Sequence, residues 1–544
     1  MKTDPHIPAA PEASEWDVIV IGTGMGGSTV GHALAQRGLR VLFLEKGLFL
    51  QRSANRDDSP LGADEDQRPA ARLRRGHWPL PIQGKTSSVD KLEFYAPLGC
   101  GSGGSTLLYS AQLERFLPSD FTPRANYPNV LDSALPEAWP ITYAELLPYY
   151  RRAEQLYRVR GTQDPLNPDQ NSPLRRSPPL SARDQDICDS FEQLGLHPYR
   201  AHVGLEYVAG CDGCMAVMCP LNCKSDAGQI CLLPALEEFG AKILPECEVV
   251  GLEADRSKVT RVQCKRNGEV LFISAKVVVL AAGAWNTPIL LLKSKSELWP
   301  DGLANSSGMV GRNLMLHSAD LVAVKSRKHR SRIGPGKALS VNDFYFSEGE
   351  KLGSLQWVGS NPGPQYVLYY LRNINAKMPF FVGILTRPFL RIAAHIAAYL
   401  FRDMAVIGTM VEDLPYSHNR VIFDPKAKNE MRFEYRLADD LHARSRSFRK
   451  RLRRKLRPHH RIIFLNARTK LNYGHVCGTC RFGDDPKTSV LNKDNRAHDL
   501  ANLFVVDASF FASSGGTNPS LTVAANSLRV AEAIESACRE HTGR

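Results

Sequence analysis

The stretch WDVIVIGTGMGGSTVGHALAQRGLRVLFLEKG, residues 16–47, constrains the fold more than any other part of the chain. Val18 to Ile21 is a short apolar run of the buried-strand type, and Gly22, Gly24 and Gly27 follow it as G-x-G-x-x-G. A helical stretch runs on to Gly38, and Val41 to Leu44 reads as a second buried strand. This order makes a βαβ unit for a dinucleotide. The first glycine permits the tight turn, the second lets the backbone approach a pyrophosphate, and the third lets helix pack on strand. The helix N-terminus offers oriented N–H groups and a positive dipole end to the phosphates. Glu45 ends the second strand, placed to accept from an adenosine ribose diol; a carboxylate there repels a 2′-phosphate and disfavours NADP.

Two further segments favour FAD over NAD. AKVVVLAAGAWNTPILLLKS (275–294) holds a buried strand that ends in small residues, and PLGCGSGGSTLLY (97–109) is a second glycine-rich loop, containing Gly103, Gly104 and Ser105. A long two-part cofactor cradled by several separated segments fits FAD better than a nicotinamide held by one unit. Near the C-terminus, Leu503 to Val506 reads as a strand ending at Asp507, and TNPSLTVAANSLRVAEAI opens a helix with Pro519 at its first position. A helix N-terminus aimed at a flavin would stabilise the negative charge that develops on the ring during hydride acceptance. Alcohol oxidation needs a group of near-neutral pKa beside the hydroxyl, and histidine is the natural residue type, which points to His475 in GHVCGTC, although a buried histidine satisfied by backbone would look the same in sequence. Asn518, in TNPS, reads either as a helix cap or as a site residue.

The segments 17–47, 97–109, 277–294, 309–317, 411–425 and 474–534, in that order, resemble the glucose–methanol–choline (GMC) oxidoreductase family. The resemblance thins across 116–200 and 321–405. It implies oxidation of a CH–OH group by hydride transfer to flavin N5, with His475 as the base and Asn518 orienting the substrate oxygen. The pairing is similar to the His/Asn branch of cholesterol, choline and pyranose oxidases. It also implies FAD contacts from Gly22, Gly24, Met25, Gly27, Glu45, Gly103, Gly104, Ser105, Val249, Asp507 and Pro519. Two positions depart from the family: Leu108 stands where members with covalent flavin carry a histidine, so FAD is expected to be noncovalent, and Tyr109 replaces the usual asparagine.

CDGCMAVMCPLNC places Cys211, Cys214, Cys219 and Cys223 within thirteen positions. Some membrane-associated members of the family resemble this chain in carrying cysteines here, where an iron–sulfur cluster passes electrons out of the flavin. The spacing C-x2-C-x4-C-x3-C is none of the standard ferredoxin or zinc patterns, so the alternative is a set of partly buried thiols with one disulfide.

The net charge of +13 is concentrated between Leu441 and Gly483, which hold thirteen Lys or Arg and no Asp or Glu. Within 444–461, Phe448, Leu452 and Leu456 recur at helical spacing, giving a basic amphipathic helix. It either packs its apolar stripe on the core or serves as peripheral membrane contact; without a binding motif, nucleic acid is not expected as a partner. MPFFVGILTRPFLRIAAHIAAYLF (378–401) is interrupted by Arg387 and Arg391, which argues against a spanning helix. It is expected to line an apolar cavity or to lie on a bilayer surface.

The resulting expectation is an α/β flavoprotein. A discontinuous Rossmann-type FAD-binding domain (15–115, 203–320, 470–544) follows a polar tail (1–14), and an α+β substrate-binding cap is formed by 116–202 and 321–469. The polar N-terminus favours the cytoplasm, and the basic segment 444–461 adds an expected peripheral membrane contact as the alternative. The expected reaction is dehydrogenation of an apolar or amphiphilic alcohol, with O2, a quinone or a redox protein as acceptor. The alternatives are an oxidase, a sugar dehydrogenase with an iron–sulfur relay, and a non-redox flavin lyase of the same fold.

Overall fold

The computed structural model describes residues 5–49, 68–87, 89–167, 171–211, 213–326, 328, 333–359, 364–375, 380–401, 403–466 and 470–540. The βαβ unit forms as read, with strand Trp16–Ile21, helix Met25–Gln36 and strand Val41–Leu44. Its strands belong to a five-stranded parallel sheet in the order Leu503–Val505, Ala275–Leu280, Trp16–Ile21, Val41–Leu44, Lys242–Leu244. Both faces of such a sheet are covered, which is why these strands read as unbroken apolar runs without alternation. The C-terminal helix, Ser520–Glu540, packs against Met25–Gln36. It begins one residue later than the sequence suggests: Pro519 precedes the first turn, and its carbonyl accepts from the Val523 N–H at 3.0 Å.

Residues 5–14, expected as tail, lie along the sheet edge. The Ile243 N–H donates to the His6 carbonyl at 2.9 Å, and Trp16 Nε1 donates to the Pro11 carbonyl at 2.9 Å. An edge strand has outward backbone donors to satisfy, and this segment satisfies one.

The second large sheet has eight described strands, all paired antiparallel: Ile462–Phe464, Leu321–Lys325, Met404–Val411, Gly353–Trp357, Leu339–Val341 and Tyr199–Arg200 in order, with Ser318–Ala319 and Lys470–Leu471 branching from Met404–Val411. Helix Asp439–Leu456 covers it, with Phe448, Leu452 and Leu456 fully buried. Its arginines are partly neutralised from the protein side: Arg444 pairs with Asp440, Arg449 with Asp320 and Arg451 with Glu350. The apolar stripe packs on the core, as one of the two readings has it. Arg446, Lys450, Arg453 and Arg457 remain exposed, spaced as one outward stripe.

A four-stranded sheet crosses the expected domain boundaries, because Met431–Tyr435 runs parallel to Ile82–Thr86. Within 378–401, Phe380–Thr386, Arg387–Phe389 and Leu390–Phe401 form a continuous helical segment; residues 378 and 379 lie outside the described residues. The segment's described residues do not line the central cavity; most of its large apolar side chains face outward, with Phe381 78% and Leu385 71% exposed.

Candidate active site

A cavity of about 1270 Å3 opens over the carboxyl ends of the parallel strands, where Ile21, Leu44, Ala281 and Asp507 reach its wall. That is the expected place for a ligand in an open parallel sheet, and the space exceeds the roughly 300–1,000 Å3 of a single small-molecule site. Of the residues expected to hold the cofactor, Gly22, Gly24, Met25, Glu45, Gly104, Ser105, Val249, Asp507 and Pro519 line it. Gly27 and Gly103 stand behind the wall. A Cβ on Gly27 would lie 2.0 Å from the Gly22 carbonyl, so its role is helix–strand packing, while the Gly103 N–H donates to Thr23 Oγ1 at 3.4 Å.

The glycine cradle fits a dinucleotide. Gly22 has φ +99°, and a Cβ there would sit 2.5 Å from the Ala281 carbonyl. A Cβ on Gly24 would meet no protein atom within 4 Å, so that side of the turn faces open cavity at the start of a helix. Glu45 is held more firmly than its sequence position suggests. Oε2 accepts from the Thr23 N–H and hydroxyl at 3.1 and 2.6 Å, and Oε1 accepts from the Gly47 and Gly101 N–H groups at 2.8 and 3.1 Å. These donors take up its lone-pair positions, so Glu45 ties the two glycine-rich loops together as well as lining the wall. Burial raises its pKa. Asp507 does the same across the sheet, accepting from Gly283 N–H and Thr287 Oγ1 through Oδ2 and from Ser509 through Oδ1.

His475 and Asn518 both line the cavity. His475 Nδ1 lies 3.1 Å from His317 Nδ1, the rings meeting edge to face. His317 Nε2 is 2.8 Å from the Gly515 carbonyl, which can only accept, so Nε2 carries the proton and Nδ1 has a lone pair. His475 Nδ1 must then be the donor, which leaves His475 Nε2 unprotonated. Burial, with the His317 ring beside it, pushes the His475 imidazolium down to about 3. The pair therefore presents a neutral imidazole with an unprotonated Nε2 at neutral pH. His317 was not singled out in the sequence; its only signal was its place at the end of the family-like segment 309–317.

The carbonyl that sets this tautomer is itself anchored. The Gly515 N–H donates to Glu412 Oε1 at 3.1 Å, and the Gly516 N–H donates to the Tyr345 hydroxyl at 2.8 Å. Lys351 lies between Asp120 and Glu412, all three side chains fully buried, and Tyr345 donates to Asp120. Gly515 has φ +65°, and a Cβ there would lie 2.7 Å from the Phe116 ring. Asn518 Oδ1 is buried without a partner among the described residues. A buried acceptor facing a cavity is a position waiting for a donor from a bound molecule.

Cys211 and Cys214 reach the cavity wall, and the four sulfurs converge. Cys211 Sγ lies 3.0 Å and Cys219 Sγ 3.4 Å from Cys223 Sγ. Among the described residues no group of three or more His, Cys, Asp or Glu is arranged to hold a metal, and the expectation of an iron–sulfur cluster is not supported. The Cys219 thiol is held low by donation from Cys214 and Cys223, and the buried Lys224 ammonium beside it donates to the Leu107 and Val217 carbonyls. Leu108 lines the cavity, and Tyr109 turns its hydroxyl to the Ser225 carbonyl at 2.5 Å.

Family models described as GMC oxidoreductase match residues 82–319 and 415–527. The chain is similar to a 6'''-hydroxyparomomycin C oxidase of Streptomyces lividus, 28% identical with 96% of this chain and 91% of that protein covered. It is similar to a 2-methyl-1,2-propanediol dehydrogenase of Mycolicibacterium austroafricanum, 28% identical over 96% and 95%. A fructose dehydrogenase large subunit of Gluconobacter japonicus is 27% identical over 95% and 97%. Among solved structures, a pyridoxine 4-oxidase from Mesorbium loti matches with TM-score 0.64 at 19% identity, covering 96% of this chain and 99% of that one. A formate oxidase matches with TM-score 0.63 at 16% identity over the same shares, which adds support for the fold alone.

Proposed function

Since the chain belongs to the GMC oxidoreductase family and is an FAD-dependent oxidoreductase, we propose that it dehydrogenates a CH–OH group, with His475 Nε2 taking the hydroxyl proton and Asn518, on the same cavity wall, orienting the substrate oxygen. FAD, held noncovalently beside Leu108, supplies the hydride acceptor. The observation that carries this reading is the histidine pair: the Gly515 carbonyl fixes His317, and His317 leaves His475 with its lone pair on Nε2. Leu108, Met215 and Val217 make part of the wall apolar, which favours an alcohol with an apolar or amphiphilic body. Relatives named as oxidases and as dehydrogenases match at nearly equal identity, so the acceptor is left to measurement.

The test is anaerobic mixing of the yellow protein with a panel of aliphatic, amphiphilic and sugar alcohols, following loss of the flavin band. Bleaching by an alcohol, slowed ~10²–10⁴-fold in His475→Ala with flavin content unchanged, is the expected result. A flavin that no alcohol reduces, while the protein still cleaves a hydroxynitrile, would replace the dehydrogenase with a lyase. Reoxidation rates with O2 and with a quinone then separate oxidase from dehydrogenase.

A further inference from the structure

The helical segment 380–401 is the least explained part of the molecule. From Phe381 to Phe401 it runs 21 residues at mean hydropathy 1.3, with 11% of its most apolar window buried. Phe381, Leu385, Phe389, Ile392, Ile396 and Leu400 are each more than half exposed. Ala394 is its buried contact among those side chains described, on the side that packs against helix Pro364–Asn375. Thr386 Oγ1 and the Gly383 carbonyl bond to Asn375, which ties the two helices into a hairpin. A contiguous apolar surface of this kind is uncommon on a soluble protein and marks a docking face.

The length would suffice to cross a bilayer, but the topology forbids a single crossing. The hairpin leaves the eight-stranded sheet after Gly353–Trp357 and returns as Met404–Val411, and these two strands are paired, Trp357 opposite Ile407. Both ends therefore stand on the same side of whatever the segment touches. A crossing would put them on opposite sides.

Charge then selects the occupant. Arg387 and Arg391 are exposed on the segment itself. At its foot, Met404 pairs with Lys325, whose N–H donates to the Arg461 carbonyl, so the strand ends bring Lys325, Lys328, Arg457 and Arg461 to the same end of the sheet. An apolar helix lying over a collar of cations matches acyl chains beneath anionic headgroups. The cavity also extends towards this end, since Gly359, two residues past the strand from which the hairpin departs, lines it.

We propose that residues 380–401 dock the protein on an anionic lipid bilayer, lying in the plane of the interface with Arg387, Arg391 and the sheet-end cations on the headgroups. The basic segment 444–461 contributes through Arg457 and Arg461, which follow the end of helix Asp439–Leu456, not through the arginines already paired with Asp440, Asp320 and Glu350.

The test uses the full flavin-loaded chain and flotation with vesicles of phosphatidylcholine alone or with a third phosphatidylglycerol. Wild type is expected to float with the anionic vesicles and to be partly released by salt. The triple variant Leu385→Asp, Ile392→Asp, Ile396→Asp is expected to lose at least tenfold in vesicle binding while keeping its flavin content and Tm. In parallel, hydrogen exchange of the wild type should show slowed amides in 380–401 on adding anionic vesicles. Wild type that stays in solution with both vesicle types, or amides in 380–401 unaffected by them, would overturn the proposal. So would a dimer that the triple variant converts to a monomer, since a second copy would then be the occupant.

Discussion

His317 and His475 meet Nδ1 to Nδ1 at 3.1 Å, and the Gly515 carbonyl on the far side of His317 decides which of them is the donor. A histidine pair is ambiguous on its own, because each ring can carry its proton on either nitrogen. One fixed acceptor removes the ambiguity for both rings.

The first prediction follows from that arrangement. With its imidazolium pushed down to about 3 by burial and by His317, His475 is neutral across the working range. The rate of flavin reduction should therefore be flat between about pH 5 and pH 8, with no inflection near the free-histidine value of about 6.5. His317→Ala should cost roughly 10–100-fold at pH 7 and bring an acidic limb into that window, because His475 loses both its tautomer partner and a ring that disfavours its charged form. An unchanged profile in the variant would leave His317 a packing residue.

A second prediction separates two glycines of one motif. Gly24 has φ −71°, and a Cβ on it would touch no protein atom, whereas a Cβ on Gly27 would collide with the Gly22 carbonyl at 2.0 Å. Gly24→Ala should keep the Tm of the flavin-free protein and weaken FAD binding tenfold or more; Gly27→Ala should lower the Tm of the flavin-free protein itself. Equal effects on both quantities would show that the cavity over Gly24 is not where the pyrophosphate sits. In the same samples, acid precipitation of wild type should release all the flavin into the supernatant, as noncovalent binding beside Leu108 requires.

The thiols give a third. Cys211 and Cys223, with sulfurs 3.0 Å apart, should be the pair that joins when a diazene oxidant such as diamide takes two electrons and two protons from them. Peptide mapping without reductant should find the Cys211–Cys223 crosslink, and Cys211→Ser should abolish it. Iron measured in stoichiometric amount on the unoxidised protein would reverse this reading and restore a cluster.

Asn518 supplies a fourth. Its orphaned Oδ1 bonds to none of the described residues, so Asn518→Ala should leave the Tm within about 1 °C while slowing flavin reduction roughly 10–100-fold. A large loss of stability with the rate intact would make it a cap and nothing more.

What the sequence made legible was local and periodic. The parallel strands could be read because a sheet covered on both faces leaves no polar alternation, and Gly22–Glu45 because each glycine answers a backbone need. Phe448, Leu452 and Leu456 were readable as a stripe for the same reason. The partners were not legible. Arg449 meets Asp320 and Arg451 meets Glu350 only through the fold, so a helix that reads as a run of uncompensated charge is partly neutralised. His317 was hidden for a related reason: its role depends on the Gly515 carbonyl, and no side-chain pattern announces a backbone acceptor.

The last prediction concerns stability, through the buried pair of His202 and Glu114, whose Nδ1 and Oε2 lie 3.0 Å apart. Although burial alone would lower it, Glu114 raises the His202 imidazolium to about 9, and the same pairing lowers the Glu114 carboxyl. An unfolded histidine titrates near 6.5, so between 6.5 and 9 the folded state holds a proton that the unfolded state has released. The pair's contribution is then complete below pH 6.5 and is lost as pH rises through about 9, amounting to roughly 3 kcal/mol at about 1.4 kcal/mol per pKa unit. Asp413, raised to about 7, and Lys337, lowered to about 7, impose pH dependences of their own, so the wild-type curve alone is not diagnostic. They cancel in the difference between wild type and His202→Gln. That difference in Tm should be largest and constant below pH 6.5 and shrink towards zero by pH 9.5, where both proteins hold Glu114 against a neutral partner. A difference that stays constant across the range would mean that His202 is neutral throughout and contributes by packing and its bond to the Thr162 carbonyl.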